Sequence, residues 1–242
     1  MNETIETLKS HVSVRKFKSE SVSDEMVETI VEAATRASTS SNLQATTVIR
    51  VRNDERRQDI AKLAGNQKYV VDCGAFLVWC VDLYRSKMAC EMGGGEFCAG
   101  MTEHFVIATV DVALAAQNAA IAAESLGLGI CYIGGIRNDP AKMTELLALP
   151  KQVFPVFGMC IGWPQKKSNP KPRLPTSITL MDDIYNQNQR QPLEEYDQLM
   201  ESYYKDRGIE DRTWTSFMSE LLGKESRPHM RSFLADQGFD FK

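Results

Sequence analysis

Three polar side chains near the N-terminus have the types and spacing of an anion-binding site. His11, Ser13 and Arg15 alternate with Val12 and Val14, and alternate side chains of an extended chain point to the same side. An imidazole, a hydroxyl and a guanidinium on one side can together bind a phosphate group. The same alternation is typical of an ordinary edge strand, so this segment by itself leaves both interpretations open.

Two further cations lie in the proline-rich segment of residues 164–175. Lys171 and Arg173 flank Pro172, and the neighbouring prolines hold the chain extended and stiff. Two cations that project from a stiff segment suit the capture of an anion, although a solvated linker has the same composition.

A pair of glycines follows an apolar, strand-like run that ends with Tyr132 and Ile133. Gly134 and Gly135 leave two adjacent peptide units without side chains, so a flat ligand can approach a backbone N–H there. A cofactor with a phosphate tail and a flat polar ring uses both the cations and such a turn. These residues make FMN the natural candidate cofactor, with Gln67 available at the pyrimidine edge of its ring.

Short polar side chains fill residues 38–42, directly after a helix that is predicted to begin at Ser23. Such side chains form helices poorly and hydrogen-bond readily to nearby backbone or to a ligand. A plain loop explains them equally well.

The element that must organise these groups is an alanine-rich helix, predicted over residues 106–127. Its apolar positions recur at three- and four-residue intervals around most of the cylinder, which predicts burial on nearly every side. Polar residues such as Asp111 and Glu124 interrupt it too often for a membrane span. Residues 86–100, which include Gly93-Gly94-Gly95, have no clear period and predict an exposed, flexible excursion. Strands are predicted over residues 46–52, 75–83 and 155–163, and further helices over residues 4–10, 54–64, 140–149, 192–205, 214–222 and 228–237.

Composition excludes several classes of protein. The chain has 242 residues, 43% of them hydrophobic and 25% charged, and a formal net charge of −4. It is therefore an ordinary globular protein for which nucleic acid is not an expected partner.

The six cysteines form no CxxC motif and indicate buried free thiols in a reducing compartment. With no signal-like N-terminus and no long uninterrupted apolar segment, we expect a cytoplasmic protein without a membrane partner.

Known catalytic motifs are absent from the sequence. The three histidines are far apart and no HExxH motif occurs, so no metal site is expected. Phosphate-binding P-loop, dinucleotide-binding and serine-hydrolase signatures are also missing.

Several motifs are spread over nearly the whole chain: His11-x-Ser13-x-Arg15, Ser38-Thr39-Ser40-Ser41-x-Leu43-Gln44, Ala64-Gly65-Asn66-Gln67, Ala116-Gln117-Asn118, Tyr132-Ile133-Gly134-Gly135-Ile136-Arg137-Asn138 and Lys171-Pro172-Arg173-Leu174-Pro175. Together they resemble the FMN-dependent nitroreductase superfamily, in particular its oxygen-insensitive NADPH nitroreductase and flavin reductase P group. The combination is far more specific than any one motif.

The resemblance implies an α+β fold, in which a central mixed sheet lies between helices as an α/β/α sandwich. It further implies an intertwined homodimer with two FMN sites at the subunit interface. On this basis we expect an FMN-binding core over residues 1–180 and a C-terminal helical arm over residues 181–242 that packs on the dimer.

The resemblance also implies the activity. Such an enzyme passes a hydride from NADPH, its preferred reductant, through FMN to nitroaromatics, quinones or related acceptors in a ping-pong cycle. No catalytic side chain is expected, because the cofactor performs the electron chemistry. A reductase that supplies free reduced flavin, a flavin-binding protein without turnover and a non-flavin interaction protein stay open as alternatives.

Site residues follow from the matched motifs. Val12 departs from the family pattern, which usually has a basic residue there, and Asn42 departs from a usually apolar or aromatic position. The backbone N–H of Gly134 is expected at flavin N5. The implied FMN-binding residues are His11, Val12, Ser13, Val14, Arg15, Thr39, Gln67, Tyr132, Ile133, Gly134, Gly135, Lys171 and Arg173. The implied NADPH or substrate residues are Ser40, Ser41, Asn42, Arg207, Arg212 and Arg227.

Overall fold

The computed structural model describes residues 2–166 and 168–242; Met1 and Lys167 lie outside the described residues. Within that range the chain forms a four-stranded sheet and eleven α-helices. The strands are β1 (Thr46–Arg50), β2 (Ala75–Asp82), β3 (Gly129–Ile133) and β4 (Val153–Gly162). The helices are α1 (Glu3–Lys9), α2 (Asp24–Ala34), α3 (Asp54–Leu63), α4 (Tyr69–Asp72), α5 (Tyr84–Met92), α6 (Thr102–Ser125), α7 (Pro140–Leu146), α8 (Thr176–Thr179), α9 (Arg190–Lys205), α10 (Trp214–Leu222) and α11 (Met230–Asp236).

Local capping fixes where several helices begin. The Ser23 hydroxyl accepts a hydrogen bond from the Met26 N–H at 3.2 Å, and the Asp139 carboxylate accepts from the Lys142 N–H at 2.9 Å. Such side chains satisfy N–H groups that have no partner inside the helix. The predicted starts of α2 and α7 are confirmed. They could be predicted because each capping residue lies within four residues of the N–H group that it satisfies.

The sheet has the strand order β1-β2-β4-β3, and all three neighbouring pairs of these strands are antiparallel. The expected mixed sheet is therefore corrected to an antiparallel one. Its parallel component is a single bridge between Ser13 and Ile130, where the Val14 N–H donates to the Ile130 carbonyl at 2.8 Å.

Strand β2 shows why helices cover both faces of the sheet. Its eight residues are all buried, and successive side chains point to opposite faces. Leu77, Trp79 and Val81 belong to the apolar cluster that includes α2 and α6. Phe76, Val78 and Cys80 belong to the cluster that includes α3 and α7. This arrangement confirms the α/β/α sandwich.

Helix α6 is less buried in the single chain than its composition predicts. One side, with Ala108, Val112 and Ala116, is fully buried, whereas Val106 and Val110 are 48% and 50% exposed. The single chain therefore buries α6 on one side and not on nearly every side as expected, because small alanines face the sheet and larger residues face outward. By length and composition α6 could cross a membrane, and 39% of its most apolar window is buried; core helices of soluble proteins have the same properties.

The first half of the predicted flexible excursion over residues 86–100 is a helix. Helix α5 covers Tyr84–Met92 and has no buried residue, so the prediction is corrected there. A helix without an apolar face leaves no periodic signal in the sequence, which is why the pattern missed it.

The chain divides into two compact units, which we name the core unit and the arm unit. The core unit comprises Met1–Ser168 and His229–Lys242, and the arm unit comprises Asn169–Pro228. These bounds differ from the predicted core of residues 1–180 and arm of residues 181–242. The last residues return to the core unit because Phe239 and Phe241 make edge contacts with Phe105 at ring-centroid distances of 5.2 and 5.3 Å.

Candidate functional site

The N-terminal polar segment is anchored to helix α6 and to strand β3. The His11 Nδ1 lies 2.6 Å from the Glu124 Oε1 of α6. Val14 is buried, whereas the flanking Ser13 and Arg15 are exposed, which agrees with the predicted alternation. The segment therefore presents a hydroxyl and a guanidinium on one side while a buried valine and a backbone bridge hold its position.

Arg15 lies near Tyr69, the first residue of α4, and near Cys131 of strand β3. Burial and the nearby Cys131 raise the pKa of Tyr69, and the Arg15 guanidinium opposes that rise. Burial likewise raises the pKa of Cys131, again opposed by Arg15. Since Cys131 directly precedes Tyr132, the structure brings Arg15 to the strand that leads into the glycine pair.

The glycine pair begins a short 3-10 helix, Gly134–Asn138, and its two members differ in their surroundings. A Cβ at Gly135 would lie 2.5 Å from the Ala64 carbonyl oxygen, so the peptide packs directly on the end of α3. A Cβ at Gly134 would have the Arg137 guanidinium as its nearest neighbour, at 3.3 Å. Only Gly135 is therefore required to be glycine by main-chain packing.

Tyr132 links the turn to helix α6. Its ring packs edge-on against Phe157 with centroids 5.1 Å apart, and its hydroxyl lies 3.5 Å from the Gln117 Oε1. Burial, and next the negative charge of Glu124, raise the pKa of Tyr132. Glu124 thus faces both Tyr132 and His11, which places the two predicted site residues around one carboxylate.

Gln67 lies in the loop that connects α3 to α4. Its backbone N–H donates to the Ala61 carbonyl at 3.1 Å. Its side-chain Oε1 is buried and has no hydrogen-bond partner among the described residues. A buried acceptor without a donor is costly, so this oxygen suits an N–H donor supplied by a ligand.

The polar loop of residues 38–44 is held by one carboxylate of helix α6. Asp111 is 1% exposed, and its two oxygens accept from the Ser40 and Ala45 N–H groups at 3.0 and 3.4 Å. Ser41 and Asn42 have left-handed φ values of 48° and 59°, a costly conformation for residues with a side chain. The loop is thus a fixed, strained structure.

The neighbouring Thr39 lines a cavity of about 340 Å³ next to α2 and β1. None of the hydrogen bonds described for the core unit joins Thr39 to the segment of residues 11–15 or to the glycine pair.

In the arm unit, Lys171 and Arg173 line one cavity of about 370 Å³ together with Tyr196 and Trp214. The Tyr196 hydroxyl donates to the Pro172 carbonyl at 2.9 Å and so fixes the proline segment on α9. Burial raises the pKa of Tyr196, and Arg173 opposes the rise. The two cations predicted to project from a stiff segment are therefore brought together.

Two adjacent tyrosines contact three cations of the arm unit. The Arg207 guanidinium lies 3.6 Å from the Tyr203 ring centroid. The Tyr204 ring has the Lys171 Nζ at 4.9 Å and the Arg212 guanidinium at 5.5 Å, and the Lys171 Nζ donates to its hydroxyl at 2.8 Å. Sequence reasoning selected the cations and missed the tyrosines, although the Tyr-Tyr pair next to them is a visible signal.

Arg227 is half-buried near the end of the arm unit and has a left-handed φ of 52°. In the core unit, sequence reasoning also missed Glu124 and Asp111 as positioning groups. Their signal is a carboxylate within an alanine-rich helix, where a charge is kept only if it has partners.

Comparisons with known proteins cover the whole length of the chain. Residues 8–163 match the family model "Nitroreductase family", and residues 171–242 match "Nitroreductase family, C-terminal domain". The "FMN reductase (NADPH)" of Bacillus subtilis is 40% identical over 99% of both chains. The "Oxygen-insensitive NADPH nitroreductase" of Salmonella typhimurium is 41% identical over 99% of both chains. The solved structure of the Vibrio harveyi NADPH:FMN oxidoreductase complexed with NAD+ superposes with a TM-score of 0.91, at 40% identity and 98% coverage of both chains.

Proposed function

Because the chain belongs to the nitroreductase family, we propose that it is an NADPH-dependent FMN oxidoreductase that reduces nitroaromatics, quinones or related acceptors. Relatives that align over nearly their full length are named NADPH nitroreductase and FMN reductase (NADPH). Those names also support the alternative of a reductase that supplies free reduced flavin.

The observation that carries the proposal is the arrangement around the loop after α3. This loop packs its Ala64 carbonyl on Gly135 and leads into Tyr69 of α4, which lies near Arg15. Between these two positions in the chain lies the Gln67 Oε1, which has no hydrogen-bond partner among the described residues. A guanidinium, a bare peptide and an orphaned acceptor fit the phosphate tail, the ring and the pyrimidine N–H of FMN.

We assign the phosphate and ribityl end of FMN to the polar residues of the N-terminal segment, and Gln67 to the edge of its ring. Glu124 holds the imidazole of His11 in place for this role. The Gly134 N–H is the donor for flavin N5, in a turn that Gly135 fixes. The remaining proposed FMN contacts are Val12, Val14, Thr39, Tyr132, Ile133, Lys171 and Arg173.

FMN, when bound, supplies the hydride acceptor and donor of the reaction. The protein's part is to bind and orient, and no acidic or basic side chain of this chain is given a proton-transfer role. Backbone donors and cations near the ring favour the negative charge that the ring gains on reduction. We assign the adenosine 2′-phosphate of NADPH to Arg207 and Arg212, and the acceptor cavity to Ser40, Ser41, Asn42 and Arg227.

We also propose a cytoplasmic homodimer. The outward stripe of α6 is apolar, with Val106, Val110 and Leu114 at 48%, 50% and 44% exposure, and a second copy would cover it. In such a dimer, Thr39 and the loop of residues 40–42 contribute to the site of the partner subunit. All six cysteines are free, which suits a reducing compartment.

Flavin titration tests the proposal. The purified protein should bind FMN and lose flavin absorbance when NADPH is added without oxygen. Arg15→Ala should weaken FMN binding by about tenfold, because it removes a charge-assisted contact to phosphate, whereas Lys16→Ala, at the exposed neighbouring position, should change it little. A protein that binds no FMN, or equal effects of both substitutions, would contradict the assignment. Steady-state rates with nitrofurazone and with free FMN then identify the better acceptor.

A further inference from the structure

Cys73 differs from the other thiols because an arginine contacts its sulfur. The Arg57 Nη2 donates to the Cys73 Sγ at 3.1 Å and to the Cys73 carbonyl at 2.6 Å. The same side chain is fixed by two bonds to the Val70 carbonyl, at 3.2 and 3.0 Å. The guanidinium is therefore oriented toward the sulfur by three main-chain contacts.

A second thiol lies next to Cys73. Cys160, on β4, is fully buried. The Tyr69 carbonyl accepts hydrogen bonds from both the Cys160 thiol, at 3.4 Å, and the Cys73 N–H, at 3.1 Å, so the two cysteines meet at one oxygen. Burial opposes a thiolate at Cys73, but the neighbouring Cys160 thiol and the Arg57 charge outweigh it and lower the pKa of Cys73. Burial and the adjacent Cys73 sulfur raise the pKa of Cys160 well above its usual range.

Cys73 also lines a cavity of about 540 Å³, whose wall includes the acidic residues Glu20 and Asp72 together with Ser19 and Gln165. A small uncharged molecule can enter such a cavity, whereas two carboxylates disfavour an anionic reagent. Cys160 is not among the residues that line it.

We propose that Cys73 and Cys160 form a peroxide-sensitive thiol pair, in which Cys73 is the reacting thiol and Cys160 the resolving thiol. The oxidant is a hydroperoxide, with hydrogen peroxide as the simplest case. The proposal goes beyond the flavin chemistry and does not depend on it.

The reaction balances in two steps. The Cys73 thiolate attacks one peroxide oxygen, the O–O bond breaks, and the leaving hydroxide takes up a proton to give water and a sulfenic acid at Cys73. The Cys160 sulfur then attacks the Cys73 sulfur, the S–O bond breaks, and a second water leaves as the disulfide forms. In total, the two thiols lose two protons and two electrons, and one hydrogen peroxide becomes two waters.

The test treats the intact purified protein with hydrogen peroxide, blocks remaining thiols with iodoacetamide and maps the peptides by mass spectrometry. We expect a Cys73–Cys160 linked peptide that dithiothreitol reverses. In Cys160→Ser, dimedone should trap a sulfenic acid at Cys73. Cys98, which is exposed and has no arginine among its described hydrogen bonds, is the internal control and should react about tenfold more slowly, because no guanidinium contacts its sulfur.

Three results would overturn the proposal. Oxidation of Cys98 while Cys73 stays reduced would show that exposure alone decides reactivity. A disulfide between Cys160 and Cys131, its register partner on β3, would show a different pair. Conversion of Cys73 to a sulfinic acid without a disulfide would remove the resolving role of Cys160. The peptide map of the wild-type protein distinguishes these results, so the test does not depend on whether a variant folds.

Discussion

In the core unit, Gly135 and Val14 are fixed by main-chain contacts, whereas in the arm unit Arg207 and Arg212 lie against aromatic rings. Gly135 packs directly on the Ala64 carbonyl, and Val14 donates a backbone bond to Ile130. In contrast, Arg207 lies 3.6 Å from the Tyr203 ring centroid. Main-chain packing tolerates almost no displacement, while a cation over a ring contributes about 0.5–1 kcal/mol at exposed sites. Substitutions should therefore cause larger losses of stability or ligand binding in the core unit than in the arm unit.

The largest effect is expected from Gly135→Ala. The added Cβ would meet the Ala64 carbonyl oxygen at 2.5 Å, and neither main chain can move without shifting α3 or β3. We expect the free energy of unfolding to fall by about 2–3 kcal/mol, within the range for overpacked sites, together with loss of FMN binding. Urea denaturation and flavin absorbance measure the two effects.

Gly134→Ala is the matched control for that substitution. Its Cβ would meet the Arg137 guanidinium at 3.3 Å. That guanidinium donates to the Val156 carbonyl, but a side chain needs to shift by only a few tenths of an ångström here, whereas at Gly135 a main chain would have to move. We expect a change in unfolding free energy below about 1 kcal/mol. Equal destabilisation by the two alanines would contradict the view that main-chain packing distinguishes the positions.

A smaller effect is expected when Glu124 is replaced by glutamine. The substitution keeps the size of the side chain but removes the charge that faces the His11 Nδ1 at 2.6 Å. A charged hydrogen bond contributes about 1.5–3 kcal/mol, so we expect FMN affinity to fall by at least about tenfold in a fluorescence titration. Glu103→Gln, an exposed position on the same helix, should leave affinity unchanged, and a loss there would show a general charge effect.

The arm unit should respond more weakly to Tyr203→Leu. Loss of the ring beneath Arg207 removes about 0.5–1 kcal/mol, which corresponds to a rise of about two- to fivefold in the KM for NADPH, with kcat nearly unchanged. Tyr203→Phe keeps the ring and should behave as wild type. If Tyr203→Leu raises the KM for NADH as much as the KM for NADPH, Arg207 does not bind the 2′-phosphate.

The smallest effect is expected at a surface ion pair that belongs to neither set of candidate groups. The hydrogen bond from Arg52 and the charge of Arg50 lower the pKa of Asp24 below its usual 3.8. A lowered carboxyl pKa adds stability above the unfolded-state value, and this contribution disappears as the pH falls through the folded-state value. The difference in melting temperature between pH 7 and pH 3 should therefore be slightly smaller for Asp24→Asn than for the wild-type protein. An unchanged difference would mean that the pair is fully screened.

How much could be predicted from the sequence depended on the distance between partners along the chain. The caps at Ser23 and Asp139, and helix α10 over residues 214–222, are as predicted, because each signal acts within a few residues. Helix α5 was missed, since it has no buried residue. The resemblance correctly supplied the family and the α/β/α sandwich, whereas the residue assignments for FMN and NADPH stay predictions.

The sequence by itself determined the family, with the sandwich fold that the family implies, the apolar strands and the cations available for an anionic ligand. Only the tertiary structure decided which groups position them. His11 and Glu124 are 113 residues apart, Ser40 and Asp111 are 71 apart, and Lys171 and Tyr204 are 33 apart. Periodicity and capping are local properties, while these pairings arise only when buried surfaces pack together and charged groups must find partners within them.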